Sequence, residues 1–220
     1  MELARFLHGS PDHRTAGATI THGRAYEVLS ATFFLGRRRA VFTRLAQLSG
    51  ARPGDRVLDV GCGTGYLTRA MAHQVTATGS VLGVDPSADV VAHARRLAAG
   101  LTHCTFADGI AEDLDAADGH YDAVVTSLVI HHLPEPLRER ALAEMMRVLR
   151  PGGRVLVADF RPPKGRIGRH LVGAVTGPAM EHNPVHLLEP LVRGAGFADV
   201  ETGDLPLIRY VRAVKPAPAR

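Results

Sequence analysis

With 220 residues, 45% of them hydrophobic, and a mean hydropathy near zero (+0.01), the chain has the size and composition to bury one sizeable core. Its first residues lack the charged-then-apolar pattern of an export leader, and no apolar run reaches the ~20 residues of a membrane span, so the expected location is cytoplasmic with no integral membrane association. The formal charge of +4 conceals a pattern, with +5 over residues 1–54, −5 over 55–159 and +4 over 160–220, but no dense basic run of the kind that marks a nucleic-acid patch.

Residues 1–20 are polar and poorly periodic and read as a loose arm. Over residues 25–48, Tyr26, Leu29, Phe33, Phe34, Val41, Phe42, Leu45 and Leu48 recur at helical spacings. Gly36 and Arg37-Arg38-Arg39 interrupt them, so two helices are predicted. These helices pack on the sheet or form a lid over a ligand site, with Tyr26 reaching in.

After a turn at residues 50–54, Val57-Leu58-Asp59-Val60 is an apolar run of the kind that forms a buried parallel strand. Gly61-Cys62-Gly63-Thr64-Gly65 follows at once, and helical periodicity then runs through Leu67, Ala70 and Met71. Strand, glycine turn and helix in that order place a site at the carboxyl end of a sheet. The glycines let backbone approach a ligand closely, and the helix start offers unpaired N–H groups. The third glycine comes one residue too early for a G-x-G-x-x-G dinucleotide fingerprint. Asp59 just before the loop is a carboxylate that needs donors if it is buried.

Val81-Leu82-Gly83-Val84 is a second strand ending at Asp85, followed by Pro86 and a helix from Ser87, a candidate N-cap. Asp85 lies 20 residues beyond Gly65, the spacing from a glycine loop to an acid that holds ribose hydroxyls. A third strand over 103–107 leads to Asp108-Gly109, and a fourth over 121–126 ends at Ser127. A helix follows from Pro134 to about residue 149, then a turn at 150–153 and a fifth strand over 154–158 ending at Asp159. Residues 161–180 read as an amphipathic cover or a surface loop. Asn183-Pro184 opens a helix that ends at Gly194-Ala195-Gly196, and residues 197–202 and 207–214 are the last two strands. Cys62 and Cys104 are expected as reduced thiols. His182 and His186 have helical i, i+4 spacing, but Pro184 lies between them and no carboxylate completes the motif, so no metal is expected.

VLDVGCGTG, VLGVDPS, FADG, YDAVVTSLVIHHLP and LRPGGRVLVADF, across residues 55–160, resemble the successive motifs of small-molecule class I S-adenosylmethionine-dependent methyltransferases. Within that class their order is similar to that of the quinone-biosynthesis C-methyltransferases and their relatives. The resemblance implies an α/β fold: a Rossmann-like, doubly wound, seven-stranded sheet, mostly parallel with an antiparallel last strand. It divides the chain into an arm with lid helices (residues 1–50) and a cofactor-binding domain (51–220), with 160–196 as a substrate-cover insertion.

The resemblance also implies roles for single residues. Gly61, Cys62, Gly63, Thr64 and Gly65 would lie under the methionine part of S-adenosylmethionine, with Asp59 at the base of the loop. Asp85 would bind the ribose hydroxyls beside Pro86, Asp108 the adenine amine and Gly109 its neighbouring edge. Ser127 would contact the region near the sulfonium. His131 and His132 are candidate bases for an acceptor that carries a proton, because an unshifted imidazole titrates near neutrality. The implied partner is a small-molecule methyl acceptor. The chain departs from the quinone enzymes at Ile130-His131-His132-Leu133, where they carry a Leu-Arg-Asn-Val-like stretch. Two alternatives stay open: a methyltransferase fold that binds without transferring methyl, and an NAD-type oxidoreductase, which the glycine spacing and Asp59 disfavour.

Overall fold

The computed structural model describes residues 36–162, Gly165, Asn183 and 185–218. Tyr26, the first predicted helix, His182, Pro184 and most of the cover predicted over 161–180 lie outside the described residues. The chain order is α1 (Arg38–Leu48), β1 (Arg56–Val60), α2 (Tyr66–Val75), β2 (Ser80–Asp85), α3 (Ala88–Leu97), β3 (Cys104–Asp108) and β4 (Tyr121–Ser127). A 3-10 turn (Ile130–His132), α4 (Glu135–Val148), β5 (Leu149–Phe160), a second 3-10 turn (Val185–Leu187), α5 (Leu188–Gly194), β6 (Ala198–Leu205) and β7 (Ile208–Val214) complete it.

The strands form one seven-stranded sheet in the order β3-β2-β1-β4-β5-β7-β6. The first five run parallel, and β7 runs antiparallel to both of its neighbours. Alternation along each strand divides the core between the two faces. Val57, Ala123, Val125 and Leu156 pack with α1, α2 and α3, whereas Leu58, Val60, Val124 and Val157 pack with α4 and α5. A fully buried Val or Leu contributes about 1.5–3 kcal/mol, so each face carries substantial stabilisation. The chain leaves β1 toward β2 on one side and reaches β4 on the other. That reversal opens a crevice at the carboxyl ends of β1 and β4.

Three boundaries differ from expectation. The predicted turn at 150–153 belongs to β5, because Gly152 N–H donates to Lys215 O (2.9 Å) and Lys215 N–H donates to Gly153 O (2.8 Å). A register shift opposite, between Tyr121 and Ala123, absorbs the bend. The helix predicted from Asn183 is a 3-10 turn followed by seven-residue α5. The sixth strand extends to Leu205, where Gly203 lies against the Tyr210 ring.

Candidate functional site

The crevice holds a cavity of about 880 Å³, counted with its open mouth. Its floor is the loop after β1. Gly61 and Cys62 N–H donate to Val84 O at 2.8 and 2.9 Å, which ties the loop to the end of β2. Gly65 has a φ of +72°, and a Cβ there would stand 2.5 Å from the Phe106 ring, so only glycine lets α2 start that close to β3. Gly63 also has a positive φ, +53°, but a Cβ there would meet nothing within 4 Å. Gly63 faces the cavity and Gly65 faces the core.

Asp85 holds the centre of the site. One carboxylate oxygen accepts the Gly63 N–H at 2.9 Å and the other the Ser87 N–H at 3.0 Å. Each oxygen has a second lone pair, so two adjacent hydroxyls have acceptors there. Burial raises its pKa, the two N–H donors oppose that rise, and the charge of Asp108 adds to it.

Asp59 lies beneath the loop, fully buried, and accepts the Thr68 hydroxyl at 2.6 Å. Burial first, and the charge of Asp85 second to the opposing Thr68 bond, push its pKa to about 7. The cavity wall does not include it.

Gly61, Cys62, Gly63, Thr64, Asp85, Pro86, Gly109, Ser127 and His132 all line the cavity. Asp108 pairs with Asp85 in the ladder but is exposed and outside the wall, and buried, core-facing Gly65 also lies outside it. The two histidines separate. His132 lines the cavity, whereas the His131 side chain is 1% exposed and its Nδ1 lies 2.6 Å from Asp159 Oδ1. Of the two candidate bases, His131 therefore does not face the cavity: the 3-10 turn carries its ring into the protein. Among the described residues, no group of three or more His, Cys, Asp or Glu is assembled for a metal.

Several lining residues escaped the sequence reading. Arg38 and Phe42 from α1, Tyr66 at the start of α2, Glu112 after β3, and Leu128 and Val129 after β4 all face the cavity. Arg38 is only 8% exposed, with its guanidinium 4.0 Å above the Tyr66 ring. Tyr66 meets Phe42 edge-on at 5.1 Å. The Arg37-Arg38-Arg39 run had signalled only a break between helices. The arginine that turns inward depends on the helix phase, which three identical residues do not reveal. Leu128 takes a left-handed φ of +61° and donates its N–H to Ala158 O at 2.9 Å, an uncommon backbone state for a branched residue held by its neighbours.

Residues 57–153 match the family model described as a methyltransferase domain. A ubiquinone/menaquinone biosynthesis C-methyltransferase from Pseudomonas savastanoi pv. phaseolicola is 35% identical over 145 residues. That alignment covers 64% of this chain and 56% of the relative, so the chain spans a little over half the length of its relative. The fold is also similar to a solved S-adenosylmethionine-dependent methyltransferase from Aquifex aeolicus, with a TM-score of 0.67, 20% identity, and coverage of 88% of this chain and 98% of that one. One from Methanosarcina mazei gives a TM-score of 0.61 at 22% identity, covering 76% and 95%. The Aquifex and Methanosarcina proteins are S-adenosylmethionine-dependent, and the cavity here combines an open glycine turn, a carboxylate and a guanidinium. Residues 57–153 therefore carry a methyltransferase domain.

Proposed function

We propose that the chain transfers a methyl group from S-adenosylmethionine to an apolar small molecule whose acceptor atom carries a proton. The observation that carries this reading is Asp85, tied to the backbone of a glycine loop that opens onto the cavity. When bound, the cofactor supplies a methyl already activated on a sulfonium. Asp85 would hold the ribose hydroxyls, Gly109 and its neighbours the adenine edge, and Arg38 the carboxylate of the methionine part. Phe42, Leu128, Val129 and Leu133 make an apolar wall that suits the acceptor and excludes water.

His132 stands in that wall and is the candidate to take the acceptor's proton. With the acceptor aligned behind the methyl and water shut out, little further chemistry is required of the protein. The C-methyltransferase relatives favour carbon as the acceptor atom, while Ile130-His131-His132-Leu133 departs from the quinone enzymes. Incubation with methyl-labelled S-adenosylmethionine and a panel of apolar phenols, enols and amines tests the reading. Label should appear on at least one acceptor, with His132→Ala losing most of the rate at unchanged cofactor affinity. Cofactor bound with no label transferred across the panel would favour a binding module instead.

A further inference from the structure

Asp159 closes β5 with none of its surface exposed, and it forms no part of the cavity wall. Among the described residues, four donors meet its carboxylate. Oδ2 accepts the His131 N–H at 3.1 Å. Oδ1 lies 2.6 Å from His131 Nδ1 and accepts the Phe160 N–H at 2.7 Å and the Asn183 amide at 2.9 Å. Burial alone would raise its pKa, but the charge of His131 and these hydrogen bonds outweigh burial and hold it below the ordinary carboxylate range. An ionised carboxylate only accepts, so Nδ1 carries the proton between them and the bond fixes the orientation of the His131 ring.

That ring leads to the cavity. The His131 and His132 ring centroids are 3.9 Å apart with a 40° tilt, and His132 lines the cavity where His131 does not. A buried carboxylate is costly, and an apolar side chain would pack the end of β5 at less expense in desolvation. The four-donor cage has a use if the orientation it imposes matters next door.

We infer that Asp159 is a positioning residue: through the buried imidazole of His131 it holds the ring of His132 in one orientation at the cavity. The inference rests on the reading that His132 takes the acceptor's proton. Among the described residues, Asp159 faces His131, and the charged groups on the cavity wall beside His132 are Arg38, Asp85 and Glu112.

The test uses the full chain, S-adenosylhomocysteine as the cavity probe, and diethyl pyrocarbonate, which acylates a neutral imidazole nitrogen. Fragmentation mass spectrometry separates the two histidines. In the wild type His132 should react, His131 should not, and S-adenosylhomocysteine should slow the reaction of His132. Asp159→Asn keeps the shape and removes the charge. It should change the His132 rate by at least about threefold and move its pH midpoint, because the neighbouring anion is gone.

Calorimetric affinity for S-adenosylhomocysteine should stay within about twofold, since Asp159 does not line the cavity. A His132 rate and pH midpoint equal to wild type would overturn the inference. If Asp159→Asn does not fold, His131→Asn keeps a donor toward Asp159 but removes the ring beside His132, and the same change and the same failure apply. The wild type needs no variant at all: imidazole nitrogen spectra should show His131 protonated at Nδ1 and one His132 conformer, and an unprotonated Nδ1 or an averaged His132 overturns the inference. Wild-type protein that does not bind S-adenosylhomocysteine would sink the methyl-transfer reading and leave the His132 result standing. Binding with an indifferent His132 would do the reverse.

Discussion

Single residues in the loop show how little separates a structural glycine from a ligand-facing one. Gly63 and Gly65 share a positive φ, yet one looks into the cavity and the other into Phe106. Gly63→Val should give a folded protein with S-adenosylmethionine binding weakened beyond detection by calorimetry, whereas Gly65→Ala should lower the urea midpoint by driving its Cβ into the core. Retained binding in Gly63→Val would show that the loop does not face the ligand.

Asp59 offers a test in pH. Its folded pKa of about 7 lies above the ordinary 3.8, so the stabilisation is complete below about 4 and is lost as pH rises through 7. Across that window wild-type stability relative to Asp59→Asn should fall by about 1.4 kcal/mol per pH unit. The asparagine oxygen can still accept the Thr68 hydroxyl. Equal slopes in urea unfolding of the two proteins would contradict the burial argument.

At the scale of elements, the organising strand, glycine loop and helix were legible because composition and period changed together, from an apolar run to three glycines to a helical face. Asp85 was legible for the same reason: a strand end and a spacing coincided. The histidines were not. Residues 131 and 132 are identical neighbours, and only the 3-10 turn decides that one ring meets Asp159 and the other meets the cavity. Arg38 was hidden among three arginines until the phase of α1 turned it inward. The turn at 150–153 misled because its Pro-Gly-Gly signature masked backbone pairing with Lys215, distant in sequence. Helix α1 is more than packing if Arg38 meets the cofactor's carboxylate. Arg38→Met, which keeps the stacked stem over Tyr66, should weaken S-adenosylmethionine about tenfold or more through loss of a charge-assisted bond. Unchanged affinity by calorimetry would return α1 to a packing role.

The described residues form a sheet whose two faces are covered by different helices, with a crevice where the strand order reverses. No described helix is long and apolar enough to cross a membrane. We propose that S-adenosylmethionine binds in that crevice, and Asp85 is the residue on which the proposal turns. Its carboxylate bonds to the ribose should be worth about 1.5–3 kcal/mol, so Asp85→Ala should lower affinity roughly tenfold to a hundredfold. The direct measurement is a calorimetric titration of wild type and folded Asp85→Ala with S-adenosylmethionine, with NADH titrated in parallel. Saturable binding of S-adenosylmethionine by wild type, its weakening in Asp85→Ala and no response to NADH are the predicted results. Equal affinity in the two proteins, or binding of NADH in place of S-adenosylmethionine, would contradict the account.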